Sequence, residues 1–332
     1  MIEYKNGIHI RGSGLWLDAR RKTDFCFVSH AHADHAVRHG QILATRETAA
    51  LFEHRYGKAK FKLLEYNQPR RLNGIKVELF PSGHVLGGAQ ILIEKAGTKI
   101  VYTGDFKLRK SLTAQKAQVR RCDILIMEST FGRPQYKFPP SSQVHDQMAE
   151  FAQENLTKGR TPVFLAYSLG KAQEAMKILS KCGFKLSVHG TIYDMAKIYE
   201  ELGVRFKKYE HYRAGELEGK VLIVPPSVRK SPMLENIPRK RTAVLTGWAI
   251  DRGTRYFNGV DQAIPLSDHA DFSELVEYVK KARPKKVYTV HGFGELVESI
   301  REMGFDAEPL NRNTRPESTF GKKGLTNYDL FA

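Results

Sequence analysis

The chain has 332 residues, with 53 Lys+Arg against 36 Asp+Glu, a formal charge of +17 and a pI near 9.7. Its 41% hydrophobic content and mean hydropathy of −0.42 suit one large soluble domain or two ordinary ones. Recurring apolar runs exclude whole-chain disorder, and no apolar stretch approaches the roughly 20 residues that cross a bilayer.

The N-terminal stretch reads as short strands split by turns: IEY, GIHI and LWLD. Asp24–Ser29 (DFCFVS) is a stronger strand and ends at a histidine cluster, after which a helix is expected. IKVELF (75–80), QILIE (90–94) and KIVYT (99–103) are strands with Gly-containing turns between them. DILIM (123–127) is a short continuous apolar run, as a strand buried on both faces requires. A Pro-rich break, PQYKFPPSS, follows. Beyond it lies an amphipathic helix with Val144, Met148, Phe151 and Ala152 on one face. Strands at 163–167, 185–189, 220–224 and 242–246 then alternate with helices from Lys171 and over 192–202. This is the pattern of a small parallel α/β unit. The chain returns with a helix at 273–282, a strand at 286–290 and a helix at 294–303, and its last 27 residues are polar and weakly patterned. The expected organisation is a β-rich first part over 1–133, an inserted α/β unit over 134–246 and a return over 247–332.

The charge excess favours a polyanionic partner, nucleic acid by default. It is diffuse: residues 136–245 hold 18 Lys+Arg and 11 Asp+Glu, near their proportional share. The three cysteines, Cys26, Cys122 and Cys182, are odd in number and lack CxxC spacing. A reducing interior is therefore expected, with any metal held by histidine and carboxylate. The start, MIEYKNGIHI, lacks a signal-peptide layout, so a cytoplasmic protein is expected, with no membrane partner.

Ser29–His35 reads S-H-A-H-A-D-H. His30 and His32 alternate on a strand end and face one side; Asp34 and His35 follow. Four ligand-type side chains in six residues can surround two cations, and imidazole with carboxylate suits zinc. One loop cannot fill two coordination spheres. His84 in PSGHVLGGA and Asp105 in VYTGDF stand just past strands of their own, on the same rim.

H-x-H-x-D-H, then S-G-H, then T-G-D, in this order, resembles the metallo-β-lactamase fold over roughly residues 8–131. The resemblance implies a first zinc on His30, His32 and His84, a second on Asp34 and His35, and Asp105 bridging both. Glu128 in MESTFG, His269 in LSDHAD and His291 in VHG resemble the three signature motifs of the β-CASP nucleases. The implied fold is an αββα sandwich with an inserted β-CASP α/β cap. His291 would complete the second metal's shell, while Glu128 and His269 act as a pair beside the scissile phosphate; Asp34, Glu128 and His269 form the implied catalytic set. The string ESTFG occurs again at Glu317–Gly321, but that copy follows the polar NRNTRP and is taken as coincidence.

FGRPQYKFPP, AYSLGKAQ, PPSVRKSP and GWAIDRGTR are similar to stretches of the compact prokaryotic ligase-associated DNA exonucleases. This implies a DNA repair exonuclease with two Zn²⁺, Mn²⁺ as a substitute, and a DNA ligase and helicase as partners. DNA is favoured over RNA, with single-stranded or frayed ends as substrate. An RNA-processing β-CASP ribonuclease remains the alternative, because a histidine at 291 is the choice of RNA-acting branches. A thioesterase or lactonase fits the basic charge and the inserted unit poorly, and a non-catalytic scaffold would be expected to have lost ligands.

Ser168 and Lys171 open a helix after a strand, where backbone N–H groups and an ammonium suit an anion. Ser227 and Arg229 occupy the same position after 220–224, and Arg252 is a further basic candidate; all five are read as phosphate contacts. Tyr167 and Trp248 can stack on bases, although core packing is the expected use of each.

Overall fold

A computed structural model describes residues 1–5 and 7–310, so the second ESTFG copy lies outside the described residues. Three sheets organise it. The first runs in chain order through β1 (Ile2–Tyr4), β2 (Ile8–Ile10), β3 (Leu15–Leu17), β4 (Phe25–Phe27), β5 (Gln41–Ala44) and β6 (Phe61–Leu63), parallel from β3 onward. Helix α1 (Arg46–Tyr56) separates β5 from β6. The expected helix directly after His35 does not form. The chain makes turns there and passes into β5 before α1 begins, with Thr45 capping α1 by accepting from the Thr48 N–H.

The second sheet begins with β7 (Arg70–Leu72), β8 (Ile75–Pro81), β9 (Ala89–Lys95), β10 (Thr98–Tyr102) and β11 (Ile124–Glu128). Alternation of side chains decides its two faces. Ile75, Val77, Leu79, Ile91, Ile93, Ile100, Tyr102 and Ile126 turn inward against Ile8, Ile10, Leu15, Leu17, Phe27 and Leu43 of the first sheet. Phe80, Leu92, Val101, Leu125 and Met127 turn outward into a separate cluster.

The chain then leaves through α2 (Ser141–Thr157) into a third, wholly parallel sheet: β12 (Thr161–Leu165), β13 (Lys185–Val188), β14 (Tyr209–His211), β15 (Lys220–Val224), β16 (Lys240–Leu245) and β17 (Gln262–Ile264). Its spatial order is β14-β13-β15-β12-β16-β17. Helices α3 (Lys171–Lys181), α4 (Gly190–Glu201), α5 (Pro232–Glu235) and α6 (Thr254–Phe257) connect the strands. Pairing of β17 with β16 carries this layer to Ile264, past the boundary expected near 246. A three-residue strand leaves too short a pattern to be read from sequence.

Helix α7 (Phe272–Ala282), strand β18 (Lys286–Val290), helix α8 (Glu295–Glu302) and strand β19 (Asp306–Pro309) complete the second sheet. Leu275, Tyr278 and Val279 of α7 and Leu296 and Ile300 of α8 cover its outer face. Leu51 and Phe52 of α1 cover the first sheet through Ile42 and Ala44. The layers are therefore helix, sheet, sheet, helix, with the parallel α/β unit inserted between β11 and α7, as the sequence implied.

Candidate metal centre

Strand polarity gathers the motifs. β8, β10, β11 and β18 all run the same way, so the segments after Pro81, Tyr102, Glu128 and Val290 emerge on one rim. The loop after β4 joins them: the Ala89 N–H donates to Ser29 O, and a Cβ on Gly104 would sit 2.6 Å from Ser29 Cβ. Only glycine, here at φ +52°, lets the Asp105 loop approach so closely.

Three imidazole nitrogens converge. His32 Nδ1 lies 3.0 Å from both His30 Nε2 and His84 Nε2, and Asp105 Oδ2 is 3.6 and 3.8 Å from the latter two. A second group adjoins it: His35 Nε2 is 3.4 Å from both Asp34 Oδ2 and Asp105 Oδ2. Asp105 belongs to both, at the position read as the bridge.

The outward nitrogens of the four imidazoles are all engaged. His30 Nδ1 is 2.9 Å from Ser29 Oγ, which itself donates to Asp18. His35 Nδ1 meets Asp18 Oδ2 at 2.8 Å, His84 Nδ1 meets the Asp268 carbonyl at 3.0 Å, and His32 Nε2 meets the Leu169 carbonyl at 3.1 Å. Each acceptor draws the proton to the outward nitrogen and leaves an inward lone pair, the tautomer a metal ligand needs. The spacing fits as well: donors about 2.0–2.1 Å from zinc in a tetrahedron stand roughly 3.3 Å apart. Burial and the neighbouring imidazoles hold His30 well below its ordinary pKa, and burial, with His269 and His32, lowers His84 to about 3. Burial also disfavours charge on His35, but the Asp105 and Asp18 carboxylates raise it well above the usual range. That anionic surplus is what a cation would neutralise.

Asp18 escaped the sequence reading. It is buried; Oδ1 accepts the Ser29 N–H at 2.7 Å, while Oδ2 receives Ser29 Oγ, His35 Nδ1 and Tyr102 OH at 2.6–2.8 Å. The only hint was an aspartate closing LWLD, a common strand-end residue.

Beside the cluster, Glu128 is buried at the end of β11. Its Oε1 accepts the Phe106 N–H at 2.7 Å, and its Oε2 lies 2.9 Å from His269 Nδ1. His269 Nε2 faces Asp105 at 3.9 Å. Burial opposes a charge on His269, yet Glu128 and Asp105 bring its pKa up to about 9. The residue stands in the loop ahead of α7, whose N-cap is Asp271.

His291 sits on the rim but outside these donor groups, its ring centroid 6.1 Å from that of His35 and its Nδ1 3.4 Å from Arg20. Gly292 beside it packs so tightly that an added Cβ would lie 1.9 Å from Ser129 O.

The expected phosphate contacts separate. Lys171 is buried, its ammonium 3.8 Å from Asp268, so its charge faces a carboxylate rather than open solvent. Ser168 is half-buried, its Oγ 3.1 Å from Thr191 Oγ1. Ser227 and Arg252 are exposed and Arg229 half-buried, on the loops after β15 and β16. Trp248 packs among Phe131, Tyr136 and Phe293 with centroids 4.6, 5.3 and 6.2 Å away, as expected. Tyr167 departs from expectation: it is 44% exposed, because the chain turns at Ser168 to lay Leu169, not Tyr167, against the site.

Residues 260–308 match the family described as Zn-dependent metallo-hydrolase RNA specificity domain. The chain is 37% identical over 320 residues to a probable DNA ligase of Opitutus terrae, covering 95% of this chain but 32% of that protein. It is 24% identical to an RNase J-like protein of Methanocaldococcus jannaschii, covering 82% of each. It is 31% identical over 124 residues to endoribonuclease YSH1 of Kluyveromyces lactis, covering 37% of this chain and 16% of that protein. The chain thus spans about a third of the ligase relative and less of the endoribonuclease. Among solved structures, a protein of unknown function from Enterococcus faecalis V583 superposes with a TM-score of 0.60 at 16% identity, covering 87% of this chain and 79% of the other. Among the described residues no helix is long and apolar enough to cross a membrane. Motif order, the layered sheets with their inserted parallel unit, and these relatives agree: the chain has a metallo-β-lactamase fold with an inserted cap and resembles the β-CASP nucleases.

Proposed function

We propose that the chain is a two-zinc phosphodiesterase that degrades DNA from an end in repair, with a DNA ligase and a helicase as partners. The observation that carries this reading is the convergence of four imidazoles, each with its outward nitrogen engaged, on Asp105 beside the Glu128–His269 pair. His30, His32, His84 and Asp105 would hold one ion; Asp34, His35 and Asp105 the other, with His291 approaching from the rim. Ions bound there supply Lewis acidity towards phosphoryl oxygens and make water acidic near neutral pH. His30 and His35 are oriented through Asp18, and His32 and His84 are held by backbone carbonyls. Glu128, fixed by the Phe106 N–H, holds His269 by Nδ1 so that Nε2 carries its proton into the site. As the P–O bond breaks, that proton goes to the departing oxygen, and the phosphorus gains its new bond to the oxygen of water, whose own proton leaves to solvent, from which His269 is reprotonated.

The ligase name of one relative favours DNA. The RNA names of others, and the description of the matched family, favour the same chemistry on RNA. Digestion of end-labelled DNA and RNA of one sequence, with added Zn²⁺ or Mn²⁺, decides between them. Faster, end-dependent loss of DNA supports the proposal. Faster cutting of RNA, or cutting of closed circles alone, overturns it.

A further inference from the structure

The turn after β12 carries an aromatic ring that the site just described does not use. Tyr167 is 44% exposed, while Ala166 before it and Leu169 after it are buried. Isolated exposed aromatics are ordinary on protein surfaces, so position and mounting must make the case. The Tyr167 carbonyl accepts the Ala172 N–H at 3.0 Å, which pins its backbone to the first turn of α3. The Lys171 ammonium lies 5.0 Å from the ring centroid, and Lys171 is itself clamped 3.8 Å from buried Asp268. Two residues on, the Leu169 carbonyl accepts from His32 Nε2 at 3.1 Å. The ring is therefore rigidly mounted, backed by a cation, and tied through three residues of chain to a metal ligand. Asp34 of the rim is close enough to bear on its hydroxyl.

A flat, cation-backed ring with its remaining area open to solvent accepts the face of another π system. In a nucleic acid that partner is a base; a base inside a duplex has both faces covered, and even a terminal paired base has one, whereas an unpaired end base can swing onto the ring. We propose that Tyr167 is a stacking platform for one unpaired nucleobase near the scissile bond, so that the site selects single-stranded or frayed ends over paired ones. The inference rests on the nuclease reading above and deepens it by assigning the side chain that would read the strand state.

The test uses the full, zinc-loaded chain and end-labelled single-stranded oligonucleotides with phosphorothioate linkages near the end. A single abasic sugar is moved inward one position at a time, and binding is read by fluorescence anisotropy. One register should weaken binding to the unsubstituted protein by roughly five- to hundred-fold, the range of a base–aromatic stack. Tyr167→Ala should weaken binding of the intact strand by a similar factor and lose the dependence on that register, whereas Tyr167→Phe should retain both. Melting temperatures should change little, because the ring is exposed. Tyr167→Ala binding the intact strand as tightly as the unsubstituted chain, or keeping the abasic dependence, overturns the platform. Binding and cleavage without any abasic register overturn it too, and leave the nuclease reading standing. Absence of binding to any strand overturns both.

Discussion

Replacing Asp18 by asparagine tests how the metal centre is held. The carboxylate Oδ2 faces three groups at 2.6–2.8 Å: Ser29 Oγ, His35 Nδ1 and Tyr102 OH. In Asp18→Asn, the Oδ1 position can still accept the Ser29 N–H, but an NH₂ now points at those three. Both hydroxyls can turn and become acceptors. An imidazole cannot turn; it can only move its proton. His35 then carries hydrogen on Nε2, the nitrogen aimed at Asp34 and Asp105, and loses the lone pair a cation requires. The fold loses little, because volume is kept and one imidazole contact is exchanged: about 1–3 kcal/mol for a buried mismatched polar group. Metal affinity should fall by roughly 10- to 100-fold, the usual effect of removing an outer partner of a metal-bound histidine. The assay pairs urea unfolding with metal content after competition against a chelator of known affinity. One equivalent should leave early, from the Asp34–His35 side. Wild-type affinity for both equivalents in Asp18→Asn would refute the reasoning, since His35 orientation would then not depend on Asp18.

Four further outcomes are expected. His269→Ala should keep metal and nucleic-acid binding while slowing turnover by roughly 10²–10⁴-fold; Glu128→Gln should resemble it, and single-turnover rates of the double variant should be far from additive. Lys171→Met strands the buried Asp268 carboxylate and should cost about 3 kcal/mol in urea unfolding at neutral pH, towards the low end for a broken buried pair because 3.8 Å is a loose contact. Burial alone would raise the Asp268 pKa, but Lys171 and Lys107 depress it, so the lost stability belongs to pH above the carboxylate range, and the gap between variant and wild type should close as pH falls through that range. Gly292→Ala forces a Cβ to 1.9 Å from Ser129 O at φ +87° and should lower stability by about 2–5 kcal/mol in the same assay. Binding to DNA should weaken steeply between 50 and 200 mM salt, as a basic protein releasing counterions requires.

The rim was legible because its residues are written together or directly follow strong strands. H-x-H-x-D-H, His84, Asp105 and Glu128 each follow an apolar run whose end a sequence can mark, and all reach the same edge. Asp18 was not legible: one aspartate after a three-residue strand has no local pattern, and its meaning comes from Tyr102 and His35, which folding alone brings near. Lys171 read as a free cation because its partner, Asp268, is distant in sequence. The short strands β5, β6, β17 and β19 fell below the length at which alternation can be seen. The turn after His35 read as a helix for the same reason: β5, between it and the true helix α1, is only four residues long.

Two ligands of the first group lean on carbonyls far along the chain, His32 on Leu169 and His84 on Asp268, at separations of 137 and 184 residues. During synthesis the histidine cluster leaves the ribosome early, yet neither imidazole has its orienting partner until the insert and the returning loop exist. At about 5–20 residues per second, His84 waits roughly 10–40 s for Asp268. On the nuclease reading proposed above, most of translation, beside messenger and ribosomal RNA, would pass with the candidate metal site unassembled. The centre is completed late, and a chain ending before Asp268 lacks that carbonyl together with His269 and His291.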